Sequence, residues 1–398
     1  MNMLKRPVFW ALGVLGYILG RLMPKQRDLI ILEGTDSSRY NESSRYLFEY
    51  LSTQKDLDVY WATSSRTIKD HISKKGLKCL FGFRDKLKTM PRAKMVIGTG
   101  STHMNFFNTI GSGTLKYCLM HGIGPKASVY TGESEAPTMR ELENIHKFDY
   151  LNFTSEYTAN LIGKLAYKTP YKKIVVLGYP RNDQLFDKTL CEKALRAKDY
   201  GRKVFPHMKP GSRLLLYTPT WRKDMSKDLP LFGLKGFDLR SMDSFLKEND
   251  LYMICTVHPN VANVASSIQA DCDNIFVVDY GKDHLFDTNA LMPETDLLIN
   301  DYSTTSTDFA ILDRPQIFVM PDYDEYVEKD CFTEDYRAVL PGKEVFSFEE
   351  LKKEILGQMA DPGQFSAARR SYLHKYYDVS LSNSCELHTN FIRKVLGV

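Results

Sequence analysis

Short apolar runs recur along the chain, each bounded by polar turns and separated by stretches of helical period. Leu29–Leu32 is the first, followed by a polar loop and a helical stretch over Ser43–Leu51. Val59–Ala62, Met95–Gly98, Tyr117–Met120, Tyr150–Thr154 and Ile174–Leu177 continue the series. Runs this short, alternating with helices, predict βαβ units and a parallel sheet. The segment from Pro180 to about Pro210 is rich in charge, has no strong strand, and reads as a connection. The pattern then restarts at Arg213–Tyr217 and returns at Leu251–Val257, Ile275–Val278, Leu297–Ile299 and Gln316–Val319. The predicted fold is therefore α/β, with two Rossmann-like domains facing across a cleft. Residues 28–190 and 191–375 would form the two domains, with a C-terminal helix over 376–398. Ligands of open α/β sheets bind beyond the carboxyl ends of the strands, so the residues just after each run carry the most interest.

The amino terminus (residues 1–27) follows a different pattern. Val8–Leu19 is apolar, with Lys5 and Arg6 before it and Arg21, Lys25 and Arg27 after it. A helix of this length covers roughly 18 Å, short of the roughly 30 Å hydrocarbon layer. No small-residue cleavage site follows, which argues against a secretory signal. The preferred reading is a monotopic helix lying in the inner-leaflet interface with its cations on anionic headgroups. A helix packed on the protein body is the competing one.

Composition narrows the classes. Hydrophobic residues at 43% and charged residues at 26% of 398 are ordinary for a globular chain and exclude disorder or a polytopic membrane protein. Lys and Arg number 53 against 49 Asp and Glu, too even for a nucleic-acid binder held by bulk charge. Seven scattered cysteines without a C-x-x-C pair read as free thiols in a reducing cytosol, and none has the context of a nucleophile.

Four clusters sit directly after apolar runs. In Leu119-Met120-His121-Gly122-Ile123-Gly124-Pro125-Lys126 the glycines and proline break any helix, so His121 projects from a loop at a strand end with Lys126 nearby. An imidazole suits proton removal from a hydroxyl at neutral pH, although a structural loop histidine has the same signature. In Gly178-Tyr179-Pro180-Arg181-Asn182-Asp183 the chain turns sharply, Asn182 and Asp183 can cap the next helix, and Arg181 suits either a salt bridge across the hinge or a substrate contact. Tyr217-Thr218-Pro219-Thr220-Trp221-Arg222 brings a guanidinium, the natural bidentate phosphate ligand, to the end of the first strand of the second half. The fourth cluster pairs Thr256-Val257-His258-Pro259 with Asn300-Asp301-Tyr302-Ser303-Thr304-Thr305-Ser306-Thr307-Asp308. Five hydroxyl residues at a helix start form an anion site. Capping accounts for one of them, and Asp308 would offset the dipole. The P-loop signature, the dinucleotide fingerprint after the first strand and the H-E-x-x-H zinc helix are all missing from the sequence.

Taken in order, these clusters resemble the CDP-glycerol glycerophosphotransferase family of teichoic acid and teichoic-acid-like capsule synthesis. The family pattern H-G-x-x-x-K, G-x-P-R-N-D, P-T-W/F-R, H-P and D-Y-S-S/T-x-x-x-D is similar to His121 to Lys126, Gly178 to Asp183, Pro219 to Arg222, His258-Pro259 and Asp301 to Asp308. The likeness runs from about Ile30 to Val345. Arg39-Tyr40-Asn41-Glu42, leading into Tyr46 to Leu51, resembles the family's Asn-led first helix. One departure is Gly124, which stands where many members have Pro, with Pro125 following.

The resemblance implies a GT-B fold, an acceptor bound mainly by the first domain and a CDP-alcohol by the second. It implies peripheral attachment to the cytoplasmic face of the cell membrane, in accord with the reading of Val8–Leu19. The implied reaction transfers glycerol phosphate, or another polyol phosphate, from a CDP-polyol to a hydroxyl of a lipid-linked saccharide or growing polymer, releasing CMP. In it His121 would be the general base, and Arg222 and His258 would neutralise the diphosphate, with His258 at the leaving CMP. Ser303 and Thr304 would hold phosphate oxygens, Asp308 would position the donor, and Lys126 and Arg181 would contact substrate. No metal or other cofactor is expected, since the cations and helix dipole can serve instead. A GT-B glycosyltransferase or sugar-nucleotide epimerase is the alternative on the same architecture. A scaffold that has lost catalysis would need neither His121 nor His258.

Overall fold

The computed structural model describes residues 14, 16–35, 38–100, 113–125, 139–190, 196–220, 229–256, 268, 271–278, 284–329, 332, 334–378 and 382–398. The chain divides into two units. Residues 1–121, 137–183 and 379–398 form the first, and 122–136 with 184–378 form the second.

In the first unit, β1 (Gln26–Glu33), β2 (Asp58–Thr63), β3 (Cys79–Phe81), β4 (Ala93–Gly98), β5 (Leu115–Cys118), β6 (Tyr150–Phe153) and β7 (Ile174–Val176) form one sheet in the order β3-β2-β1-β4-β5-β6-β7. Every pairing is parallel. Central strands covered on both faces need continuous apolar sequence, and Leu29, Ile30, Ile31 and Leu32 are all buried. Helix α1 (Glu42–Leu51) lays Leu47, Phe48 and Leu51 on the sheet, where Tyr40 meets Trp61 edge-on at 4.8 Å between ring centroids.

The second unit repeats the plan with β8 (Arg213–Thr218), β9 (Leu251–Thr256), β10 (Ile275–Val278), β11 (Leu297–Asn300), β12 (Gln316–Val319) and β13 (Lys343–Val345), ordered β10-β9-β8-β11-β12-β13 and again wholly parallel. Side chains alternate faces along β8: Leu215 and Tyr217 enter one apolar layer, Leu214 and Leu216 the other. Each such fully buried Leu stabilises the fold by roughly 1.5–3 kcal/mol. In both sheets the strand order reverses beside the first strand, between β1 and β4 and between β8 and β11, so residues leaving those strands border the switch-point crevice.

The sequence pattern missed β3 and β13. Both are three-residue edge strands. β13 reads Lys343-Glu344-Val345 and has no hydrophobic run, while the apolar Cys79-Leu80-Phe81 of β3 is too short a run to stand apart from the helix that follows. Residues 376–398, expected as a C-terminal helix, carry one helix, which packs with the first unit and not the second. Helix α3 (Ser366–Tyr376) belongs to the second unit, and α4 (Ser384–Leu396) belongs to the first. The sequence places the division at 190/191, whereas the units separate at Asp183 and Gln184.

Helix α4 is held by groups from loops of the first unit. The Asp183 carboxylate accepts the backbone N–H groups of Ser384 and Cys385, each at 2.8 Å, so it caps a helix two hundred residues away and not the next one. Burial raises the Asp183 pKa, and those two N–H groups oppose the rise. His388 is wholly buried: its Nε2 donates to the Gly178 carbonyl at 3.2 Å, which leaves Nδ1 to accept from the Tyr117 hydroxyl at 2.8 Å. Burial holds its pKa down at about 4. Arg393 pairs with Asp56 at 2.8 Å near the far end of the helix.

Among the described residues no helix is long and apolar enough to cross a membrane. Within the N-terminal segment, residues 14 and 16–22 are helical. Gly16 and Gly20 are buried, while Tyr17, Ile18 and Leu22 are exposed, Leu22 by 76%. The Arg21 guanidinium lies 5.3 Å from the Tyr17 ring centroid. Residues 1–13 and 15, most of the Val8–Leu19 stretch, lie outside the described residues.

Candidate active site

In the first unit, the parallel ladder carries β5 one residue beyond its end, the Leu119 N–H donating to the Gly98 carbonyl at 2.8 Å. Met120 then adopts a left-handed conformation with φ of 60° and turns the chain. The His121 side chain that follows is 65% exposed. Glu42, at the first position of α1, is left-handed as well, with φ of 64°. Neither side chain favours that region, and each such residue costs roughly 1–3 kcal/mol unless its surroundings enforce it.

Those surroundings are present. The Glu42 Oε1 lies 3.5 Å from His121 Nδ1, and its Oε2 accepts from Arg181 Nη1 at 2.6 Å. The same Arg181 nitrogen donates to the His121 carbonyl. Arg181 is only 3% exposed and its guanidinium lies 4.3 Å from the Tyr179 ring centroid. A buried guanidinium without a counter-ion is strongly destabilising, so Glu42 and Arg181 require each other. Asn152, fully buried in β6, donates to the carbonyls of Leu119 at 3.3 Å and Gly178 at 2.6 Å and accepts the Leu177 N–H at 3.2 Å. One amide thus ties the exit of β5, which leads to His121, to the turn that leads to Arg181.

In the second unit, the exits of β8 and β11 are locked together. Thr218 Oγ1 donates to Asn300 Oδ1 at 2.8 Å, and Asn300 Nδ2 donates to the Ser303 carbonyl at 2.9 Å. The buried Asp301 carboxylate accepts the Thr220 N–H at 2.8 Å and the Thr220 hydroxyl at 2.7 Å. Asp301 therefore fixes the Pro219-Thr220 lead-in that runs on toward Arg222. Helix α2 (Thr305–Ala310) starts just beyond, and its N-cap position, Thr304, makes no side-chain capping bond. Ser303 Oγ lies 3.0 Å from Thr305 Oγ1, and Thr307 Oγ1 lies 3.0 Å from the Tyr372 hydroxyl of α3. Burial raises the Tyr372 pKa, keeping its phenol protonated. Asp308 is buried and accepts the Tyr377 hydroxyl.

The loop after His121 lies against this helix start. A Cβ added to Gly122 would stand 2.3 Å from Thr304 Oγ1, and one on Gly124 would stand 3.0 Å from Thr307 Oγ1. The glycines that break the helical pattern after His121 thus also allow backbone to touch the hydroxyl run.

Of the sequence-derived site residues, His121 and Arg181 come together around Glu42, while Ser303, Thr304 and Asp308 share the start of α2. Arg181 reaches Glu42 and the His121 carbonyl within the first unit, so its bridge does not span a hinge. Lys126, Arg222 and His258 lie outside the described residues. Two residues that the motifs contain carry contacts their sequence context does not reveal, Glu42 and Asp301. The signal at each was a carboxylate adjoining a strand exit or helix start, a position that capping alone explains equally well. Among the described residues no group of three or more His, Cys, Asp or Glu side chains is placed to hold a metal ion.

Residues 16–392 match the family described as CDP-Glycerol:Poly(glycerophosphate) glycerophosphotransferase. The chain belongs to this family. Its relatives include the teichoic acid glycerol-phosphate transferase of Staphylococcus aureus (strain NCTC 8325 / PS 47), 26% identical over 345 residues, 82% of this chain and 83% of that protein. The teichoic acid poly(glycerol phosphate) polymerase of Bacillus subtilis (strain 168) is 26% identical over 87% of this chain, but the match spans 46% of the polymerase. The teichoic acid ribitol-phosphate polymerase TarL of the same S. aureus strain is 30% identical over 45% of this chain and 30% of its own length. The chain thus spans less than half of the longer polymerases it matches. Among solved structures, the wall teichoic acid polymerase TagF shares the fold at a TM-score of 0.73 and 19% identity, covering 99% of this chain and 96% of that one. A UDP-GlcNAc 2-epimerase from Neisseria meningitidis shares it more loosely, at 0.53 and 13% identity over 92% and 99% of the two chains.

Proposed function

We propose that this glycerophosphotransferase moves glycerol phosphate from CDP-glycerol to a hydroxyl of a teichoic-acid-like polymer or its lipid-linked saccharide precursor and releases CMP. The observation that carries the reading is the exposed His121 imidazole, braced at a strand exit and followed at once by glycine backbone lying on Thr304. In the reaction, the acceptor oxygen bonds to the phosphorus that bears glycerol, and that phosphorus parts from the oxygen bridging to CMP. The acceptor proton passes to His121, and the electron pair of the broken bond leaves on CMP. Hydroxyl and N–H donors of Ser303 and Thr304 meet phosphate oxygens at the start of α2, with Lys126, Arg222 and His258 supplying positive charge and Asp308 orienting the donor. Such transfers depend on positioning and charge stabilisation, so each of these groups carries a large share of the rate.

The domain roles follow the same logic, with acceptor on the first unit and CDP-glycerol on the second. The outward stripe of Tyr17, Ile18 and Leu22, with Arg21 beside it, supports peripheral attachment to the inner leaflet of the cell membrane, whereas Lys25 turns inward and donates to the Pro91 carbonyl at 2.6 Å and the Thr114 hydroxyl at 3.0 Å.

The test is CMP release from CDP-glycerol with a lipid-linked acceptor, beside CDP-ribitol and UDP-sugars as rival donors. His121→Ala and His258→Ala should each lower turnover by about 100-fold or more while the folded protein remains intact. UMP or UDP production from a nucleotide sugar in place of CMP release would replace this reading with a sugar-nucleotide reaction.

A further inference from the structure

We propose that Glu42 is the positioning residue of the His121 base, and that the buried Arg181 holds it in place. The inference deepens the transfer reading above and rests on it. An imidazole serves as a base through one nitrogen only when its other nitrogen carries the proton, and a carboxylate on Nδ1–H selects that tautomer. Glu42 Oε1 stands 3.5 Å from His121 Nδ1, at the outer edge of hydrogen-bond reach, a separation that commonly shortens when substrate binds. Nε2 is then left unprotonated on a side chain that is largely exposed.

Two observations separate this from an ordinary ion pair. Glu42 and Met120, one beside the imidazole and one just before it in the chain, are both held left-handed without being glycine. Such conformations gather where side chains must be aimed. Arg181 also uses a single nitrogen to grip both the Glu42 carboxylate and the His121 carbonyl, so acid and base are registered against one buried group. Were Glu42 present only to neutralise Arg181, nothing would require its second oxygen to face His121.

The experiment measures CMP release from CDP-glycerol by the full chain carrying Glu42→Gln, His121→Ala or both. Glutamine keeps an oxygen for Arg181 but not the charge that offsets the buried guanidinium, so the thermal midpoint should fall, and activity is assayed well below it. The expected result is a kcat lowered by about 10–100-fold in Glu42→Gln, with KM for CDP-glycerol within about threefold of wild type. The double variant should be no slower than His121→Ala alone, because a residue acting through His121 has nothing further to lose. Nitrogen NMR of the wild-type protein should show His121, assigned by its loss in His121→Ala, as the Nδ1–H tautomer. That measurement decides the matter even if the variant folds poorly.

Wild-type kcat in Glu42→Gln beside an inactive His121→Ala, multiplicative losses in the double variant, or an Nε2–H tautomer would each overturn the role of Glu42 alone. Undiminished turnover in His121→Ala would instead remove the base, and this proposal with it.

Discussion

Gly122 has no room for a side chain. Any Cβ there would sit 2.3 Å from the Thr304 hydroxyl oxygen and 3.1 Å from Thr304 Cβ. Gly122→Ala should therefore destabilise the protein by about 1–3 kcal/mol through overpacking. Pairing it with Thr304→Ala, which removes the nearer atom, should recover part of that loss in denaturant titration. Strict additivity of the two changes would show that the glycine is there for another reason. At this scale the sequence was informative about residue type and silent about contact. The glycines announced a loop, but the hydroxyl they touch is far along the chain. Glu42 shows the same limit: it stands at the first position of a helix, and its partners, His121 and Arg181, come from distant parts of the chain.

Among elements, the central strands were legible because burial on both faces demands an unbroken apolar run, as in β1 and β9. Edge strands β3 and β13 carry no such demand: β13 is mostly charged, and the apolar run of β3 is only three residues long. The N-terminal helix has a small-residue face and an apolar one. Gly16 and Gly20 are buried, while Tyr17, Ile18 and Leu22 are exposed. Packing on the body and the proposed contact with lipid would therefore use different faces of one helix. Replacing Ile18 and Leu22 by Ser should leave thermal stability unchanged, since both are exposed. It should weaken co-sedimentation with anionic phospholipid vesicles by at least about 10-fold, as each buried aliphatic side chain contributes roughly 1.5–3 kcal/mol. Undiminished co-sedimentation would assign membrane attachment to another part of the protein.

For the molecule as a whole, the decisive feature is the return of α4 to the first unit, fastened by Asp183, His388 and Arg393. His388 is neutral in the folded protein, with a pKa of about 4 against 6.5 for the free side chain. Between those values the unfolded chain takes up a proton that the folded chain refuses. The stability His388 contributes is therefore full above about pH 6.5 and is lost as pH falls toward about 4, by about 3 kcal/mol at most. Asp183 acts in the opposite sense, because its raised pKa lets the folded state bind a proton first on acidification. Denaturation midpoints measured from pH 7.5 to 4 should fall, and should fall less steeply in His388→Gln. Equal slopes would mean that α4 does not sense this proton.

The sequence by itself determined the two parallel sheets, the strand exits where chemistry could lie, and the order of motifs that carries the family resemblance. These are written locally, in runs, turns and spacings that each segment holds without reference to the rest. The tertiary structure alone decided which helix Asp183 caps, where the last helix docks, and which carboxylate stands beside His121. Those outcomes depend on residues far apart in the chain meeting at strand ends. A short-range pattern cannot encode such meetings, because a carboxylate before a helix looks the same whether it faces water, an N–H group or an imidazole.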